Sequence, residues 1–278
     1  MVAEGCDGAK RYALLLATED SDYVKKMYGG YFKVFEEAFR EEGQQWDLFR
    51  VVNGEFPEFE RLQDYEGFVV SGSPHDAHGD QIWVRKLCFL LQALDAMHKK
   101  VLGICFGHQV LPLFLFLNLG DVDDFLLIAS SAIVLAVLCR ALGGKIGRNE
   151  AGWDIGIRSV VLTDELPPYD YFKGFNIPPS ISIIQCHQDE VWEIPVDAEA
   201  IAYSEMTKVE MFTCGDHILG IQGHPEYTMD ILYNLLDRLH SNNVIEETVA
   251  EEIKANLEGR EPDREVWLKI CRSFLSGR

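Results

Sequence analysis

KVLGICFGHQ, residues 100 to 109, decides the architecture. A short apolar run ends at Ile104, and Cys105 follows with Gly103 and Gly107 two positions away on either side. An apolar strand that stops at such a cysteine predicts a sharp strand-to-helix turn. The turn holds the cysteine in strained backbone geometry, and its neighbours must be small to avoid clashing. It also puts the sulfur at a helix N-terminus, where the dipole and free N–H groups favour the thiolate. The Phe106 N–H then aims at the place where an oxyanion would form. Taken alone, the same letters also fit a buried, inert cysteine between two unrelated glycines.

Outward from this turn lie further short apolar runs: YALLLAT (12–18), WDLFRVV (46–52) and GFVVSG (67–72). Phe32, Phe35 and Phe39 mark a helical pattern within 29–43, and 82–100 carries a second one. Strand alternating with helix predicts an α/β fold with a mostly parallel central sheet flanked by helices. Runs at 157–163, 181–186, 209–214 and 217–223 are less clearly separated by helices and suggest added antiparallel strands. From Thr228 onward the pattern is helical. The simplest division is one α/β domain over 11–240 and a helical C-terminal extension over 241–278.

The chain has 278 residues, 47% apolar and 25% charged, with a net charge of −20. That balance argues against nucleic-acid backbones and anionic lipid, both of which select clustered Lys and Arg. The first twenty residues lack the features of a secretory signal. The seven cysteines are odd in number, widely spaced and form no Cys-x-x-Cys pair. Free thiols in a reducing cytosol are therefore expected, with neither a disulfide framework nor a zinc site. No cofactor or metal is called for.

A cysteine nucleophile needs a base. Among the eight histidines, His224 stands out in IQGHPEY, directly after an apolar strand. Pro225 stiffens the backbone, so His224 and Glu226 project as one unit. A carboxylate beside the imidazole would hold its tautomer and stabilise the imidazolium. His-Pro-Glu alone would pass for a surface turn. Together with Cys105 it completes the logic of acyl transfer through a thioester. SGSPHDA (71–77) ends another apolar strand, and Gly72 there lets backbone approach a substrate closely. An ordinary strand-to-helix turn would use the same letters.

Four motifs in this order, SGSPHDA, GICFGHQ, CHQDEV and QGHPEY, resemble the class I glutamine amidotransferase family. The nearer resemblance is to its stand-alone, GMP-synthase-like branch, which includes plant cytosolic γ-glutamyl peptidases. The resemblance implies a flavodoxin-like fold. It implies Cys105 as nucleophile, with His224 and Glu226 as its partners. Gly72 and Phe106 stand where the family has oxyanion-hole backbone. Ser73 replaces a glycine common at its position, which leaves open which N–H donates. Gln109 matches a residue that holds the glutamyl head group, and His187 and Gln188 match a loop closing over its amino and carboxylate ends. For His187 a structural hydrogen bond at a strand end is a rival role. The implied substrate is a small γ-glutamyl compound, and the implied activity is hydrolysis of γ-glutamyl peptides such as glutathione conjugates. A glutaminase that delivers ammonia to a separate synthetase subunit is the alternative partner arrangement.

Residues 111–137 break the pattern. This stretch has 27 residues, 16 of them Phe, Leu, Ile or Val, and its only charges are Asp121, Asp123 and Asp124. All four apolar types have codons with U in the middle position, so a U-rich retained intron translated in frame would give this composition. A transmembrane helix is disfavoured, because the run after Asp124 is 15 residues and about 20 are needed. A lid or a partner-binding segment is the other reading. Without the stretch the chain reads GICFGHQVLCRALGG, one helix ending at a C-cap glycine. With it, Pro112 stops that helix early. A catalytically impaired splice variant is thus a second expectation for this chain.

Overall fold

The computed structural model describes residues 9–74, 81–105, 135–149, 152–164, 166–173 and 176–277. Phe106, Gln109 and nearly all of 111–137 lie outside these described residues. In chain order the strands are β1 (Lys10–Leu15), β2 (Gln44–Phe49), β3 (Gly67–Val70), β4 (Lys100–Ile104), β5 (Lys145–Arg148), β6 (Asp154–Leu162), β7 (Ser180–His187), β8 (Asp189–Glu193), β9 (Ala198–Tyr203), β10 (Met211–Cys214) and β11 (Ile218–Ile221). The helices are α1 (Asp22–Tyr28), α2 (Tyr31–Phe39), α3 (Ile82–Ala96), α4 (Leu135–Ala141), α5 (Met229–Ser241), α6 (Glu247–Leu257) and α7 (Arg264–Ser276).

The main sheet runs β2-β1-β3-β4-β11-β10-β9-β6-β7. From β2 to β11 every pairing is parallel, and from β11 to β7 every pairing is antiparallel. The mostly parallel, helix-flanked sheet expected from the sequence is present, and the antiparallel strands account for the later apolar runs. β5 and β8 form a small second sheet.

β1 explains why the parallel strands read as continuous apolar runs. Its side chains alternate between two covered faces. Tyr12, Leu14 and Leu16 pack with Phe35 and Phe39 of α2 and with Trp267 and Phe274 of α7. Ala13 and Leu15 pack with Leu87 and Leu91 of α3 and with Leu138 of α4. Each fully buried Leu or Phe here contributes about 1.5–3 kcal/mol. A third cluster joins Leu232 and Leu236 of α5 to Ile155, Ile157 and Ile184 of β6 and β7.

The C-terminal helices are part of this packing. The Tyr12 hydroxyl donates to the Leu275 carbonyl at 3.3 Å, and the Trp267 indole N–H donates to the Ser182 carbonyl at 3.0 Å. Helix α1 escapes the periodicity reading because Val24 is its only buried residue. Local chemistry makes it instead: the Ser21 hydroxyl caps the Val24 N–H at 3.2 Å, and Gly29, at φ +81°, ends the helix in the left-handed region.

Candidate active site

The carboxyl ends of β1, β3, β4 and β11 open on one crevice, the usual ligand position in a sheet of this kind. Thr18, Gly72, Ser73, Cys105 and His224 all line it. Strand register brings them there. Ile221 pairs with Ile104 and Val70 with Gly103, so the residues that follow each strand emerge as neighbours.

Cys105 is buried and has φ +40°. A non-glycine residue in that region costs about 1–2 kcal/mol, which the surrounding structure must hold in place. This is the strained turn that the sequence predicts. The Cys105 Sγ lies 4.0 Å from the Cys186 carbonyl of β7.

Gly72 is set by the residue before it. Ser71 donates its N–H to the Leu15 carbonyl at 3.1 Å, and its hydroxyl accepts from the Ala17 N–H at 2.9 Å. The same hydroxyl donates to the Gly72 carbonyl at 2.9 Å. A side chain at position 72 would meet the His224 ring, since a Cβ there would stand 3.1 Å from Cε1. Glycine allows this close approach without displacing the ring.

His224 leaves β11 and is caught by β7, its N–H donating to the Ile184 carbonyl at 2.8 Å. Its Nδ1 lies 2.8 Å from Glu226 Oε1, and the ring stacks on Tyr227 with centroids 4.0 Å apart. Glu226 is fully enclosed, and its Oε2 has no hydrogen-bond partner among the described residues. Burial opposes charge on the imidazole. The adjacent Cys105 and Glu226 outweigh that penalty and raise the His224 pKa to about 10. The arrangement favours a charged imidazole held between Cys105 and a buried carboxylate.

The other expected residues are placed differently. His187 is wholly buried at the end of β7, where its Nδ1 donates to the Asp189 carbonyl at 3.0 Å. Burial lowers its pKa to about 4, against the pull of Asp154. The Gln188 amide oxygen accepts from Arg148 Nη1 at 3.0 Å. Neither side chain lines the crevice among the described residues. The crevice is completed by residues not singled out in the sequence: Tyr31, Cys186, Tyr227 and, from α5, Leu235, Arg238 and Leu239. Only the i, i+3, i+4 spacing of the α5 trio hinted that they share a face.

Fold and site together define a doubly wound α/β protein with Cys, His and Glu gathered at the carboxyl edge of its sheet. A family profile described as "Glutamine amidotransferase class-I" matches residues 23–234, and the chain belongs to that family. It is 49% identical over 270 residues to γ-glutamyl peptidase 5 of Arabidopsis thaliana, covering 97% of this chain and 96% of the relative. It is 48% identical over 269 residues to γ-glutamyl peptidase 3 of the same organism, with 96% and 97% covered. A crystal structure of a glutamine amidotransferase from Thermotoga maritima superposes with TM-score 0.64 at 18% identity, covering 96% of this chain and 99% of that one. That likeness concerns the fold.

Proposed function

We propose that the chain is a cytosolic cysteine hydrolase of γ-glutamyl amide bonds, acting on γ-glutamyl peptides such as glutathione and its S-conjugates. Residues 11–240 form the amidotransferase-type domain in this reading, and 241–278 its helical extension. One observation carries it: a buried His224–Glu226 pair at 2.8 Å beside a strained, enclosed Cys105. The 49% identity to a γ-glutamyl peptidase supports the substrate class.

The Cys105 thiolate attacks the γ-carbonyl carbon, and the carbonyl electrons move onto oxygen. Backbone at Gly72, and at Phe106 by resemblance, donates to that oxyanion; one such donor is worth about 3 kcal/mol. The tetrahedral adduct collapses as His224 gives its proton to the leaving nitrogen. The C–N bond breaks and a γ-glutamyl thioester remains on Cys105. Water, deprotonated by His224, attacks the thioester and releases glutamate and the thiolate. Glu226 stabilises the imidazolium throughout and fixes its tautomer.

The test offers purified full-length protein an S-substituted glutathione and, separately, glutamine. Expected products are glutamate and the S-substituted dipeptide, with no release by Cys105→Ala. Ammonia release from glutamine without peptide cleavage would replace this reading with the glutaminase one.

A further inference from the structure

The wall of the crevice formed by α5 carries one feature that the hydrolytic chemistry does not use. Among the described residues lining the crevice, Arg238 is the only Arg, Lys, Asp or Glu. Its side chain makes no hydrogen bond or ion pair within the described structure. The adjacent carboxylate of Asp237 is taken by Lys254 at 2.9 Å. On a chain of net charge −20, a guanidinium without a carboxylate partner in the same crevice as Cys105 is suited to receive an anion.

The wall itself is firmly held. Asp230, in the first turn of α5, accepts from the hydroxyls of Tyr23 and Tyr28, each at 2.7 Å. Leu232, Leu236 and Leu239 bury the adjoining face of the helix against β6 and β7. Leu235 and Arg238 line the crevice beside that face, with Leu239 at the edge the two faces share.

The position of His224 says which end of a substrate meets this wall. His224 must protonate the leaving nitrogen, so the leaving group lies on the histidine side of Cys105. That side is bounded by β7, to which His224 is bonded through Ile184, and by Cys186 two residues further along the strand. Arg238 faces the same region: burial pushes the Cys186 thiol up, and the Arg238 charge counters it.

Resting on the hydrolase reading above, we propose that Arg238 is the specificity-determining residue for the leaving group and binds the terminal carboxylate of the departing peptide. Leu235 and Leu239 would flank its apolar side chain. Preferred substrates are then γ-glutamyl peptides with a free C-terminal carboxylate, and glutamine, whose leaving group is ammonia, does not engage Arg238.

The experiment compares S-methyl glutathione, its C-terminal carboxamide and glutamine as substrates for wild type, Arg238→Gln and Arg238→Lys. A charge-assisted hydrogen bond is worth about tenfold to a hundredfold in kcat/KM. Wild type is expected to prefer the free acid over the carboxamide by about that factor. Arg238→Gln should lose the preference by slowing on the acid alone, leaving the carboxamide and glutamine rates unchanged, and Arg238→Lys should restore part of it. Equal slowing on all three substrates, or on none, overturns the assignment of Arg238 while γ-glutamyl hydrolysis stands. Cleavage of glutamine alone by wild type overturns the hydrolase reading and this proposal with it.

Discussion

The Cys105 N–H donates to the Ile221 carbonyl at 2.9 Å. This bond extends the β4–β11 ladder by one rung past its last pair, Ile104 and Ile221. It fixes the cysteine turn to the strand that delivers His224 three residues later. The thiol and the imidazole are therefore coupled through backbone, and a side-chain change at either group should leave their approach intact.

Gly72→Ala tests the tightness of the site. The new methyl would stand 3.1 Å from His224 Cε1, so the ring must move by a few tenths of an ångström. Displacements on the ångström scale cost about a hundredfold in rate. A fall in kcat/KM of roughly tenfold to a hundredfold is expected, with thermal stability nearly unchanged. Activity equal to wild type would show that the glycine is not holding ring and oxyanion site together.

Glu226→Gln removes the charge opposite Nδ1 and keeps the shape. The amide can present its N–H to the ring and favour the wrong tautomer. A loss of about three to four orders of magnitude in kcat is expected, as for the equivalent change in other triads. The His224 ring should also titrate lower, read by NMR of the imidazole. A variant with full activity would leave Glu226 a structural residue only.

Much of this was legible in the sequence, for physical reasons. Parallel strands buried on both faces announce themselves as apolar runs, so β1, β3 and β4 were readable. Cys105 and His224 follow closely after such runs, so their common position at the carboxyl ends of β4 and β11 was readable too. α1 was not, because a seven-residue helix with one buried side chain has no periodicity to read. β5 was not, because its four residues, KIGR, carry no alternation long enough to count. Ser71, whose hydroxyl ties Ala17 to Gly72, looks in sequence like any turn serine. Arg238 lies on a helix more than a hundred residues from Cys105, and only the packing of α5 brings it to the crevice.

The pH dependence follows from the His224 imidazolium. Its folded pKa of about 10 lies above the ordinary 6.5. The stabilisation is therefore fully present below about 6.5 and is lost as pH rises through about 10. Urea midpoints of wild type should fall as pH rises above the ordinary thiol pKa of about 8.5 toward about 10, and those of His224→Gln should fall less. Cys105→Ala removes one of the two partners that raise the imidazole, so the His224 titration should move toward neutrality in that variant. A ring that titrates at its ordinary value in wild type would contradict the charged imidazole.

Deletion of 111–137 tests the origin of the apolar stretch. The joined sequence GHQVLCRALGG has no proline and ends at Gly143, where φ is +90° and a helix can stop. Leu138 and Cys139 are already buried against α3 and β4, so the residues that would follow Val110 carry the face that such a helix needs. A proline inside such a helix would cost about 3 kcal/mol, and the full-length sequence puts Pro112 two positions after Val110. The shortened protein is expected to be more soluble, to melt several degrees higher and to hydrolyse γ-glutamyl peptides faster. Solubility and turnover equal to those of the full-length chain would mean that the stretch is an accommodated part of the enzyme, and the retained-intron explanation would be abandoned.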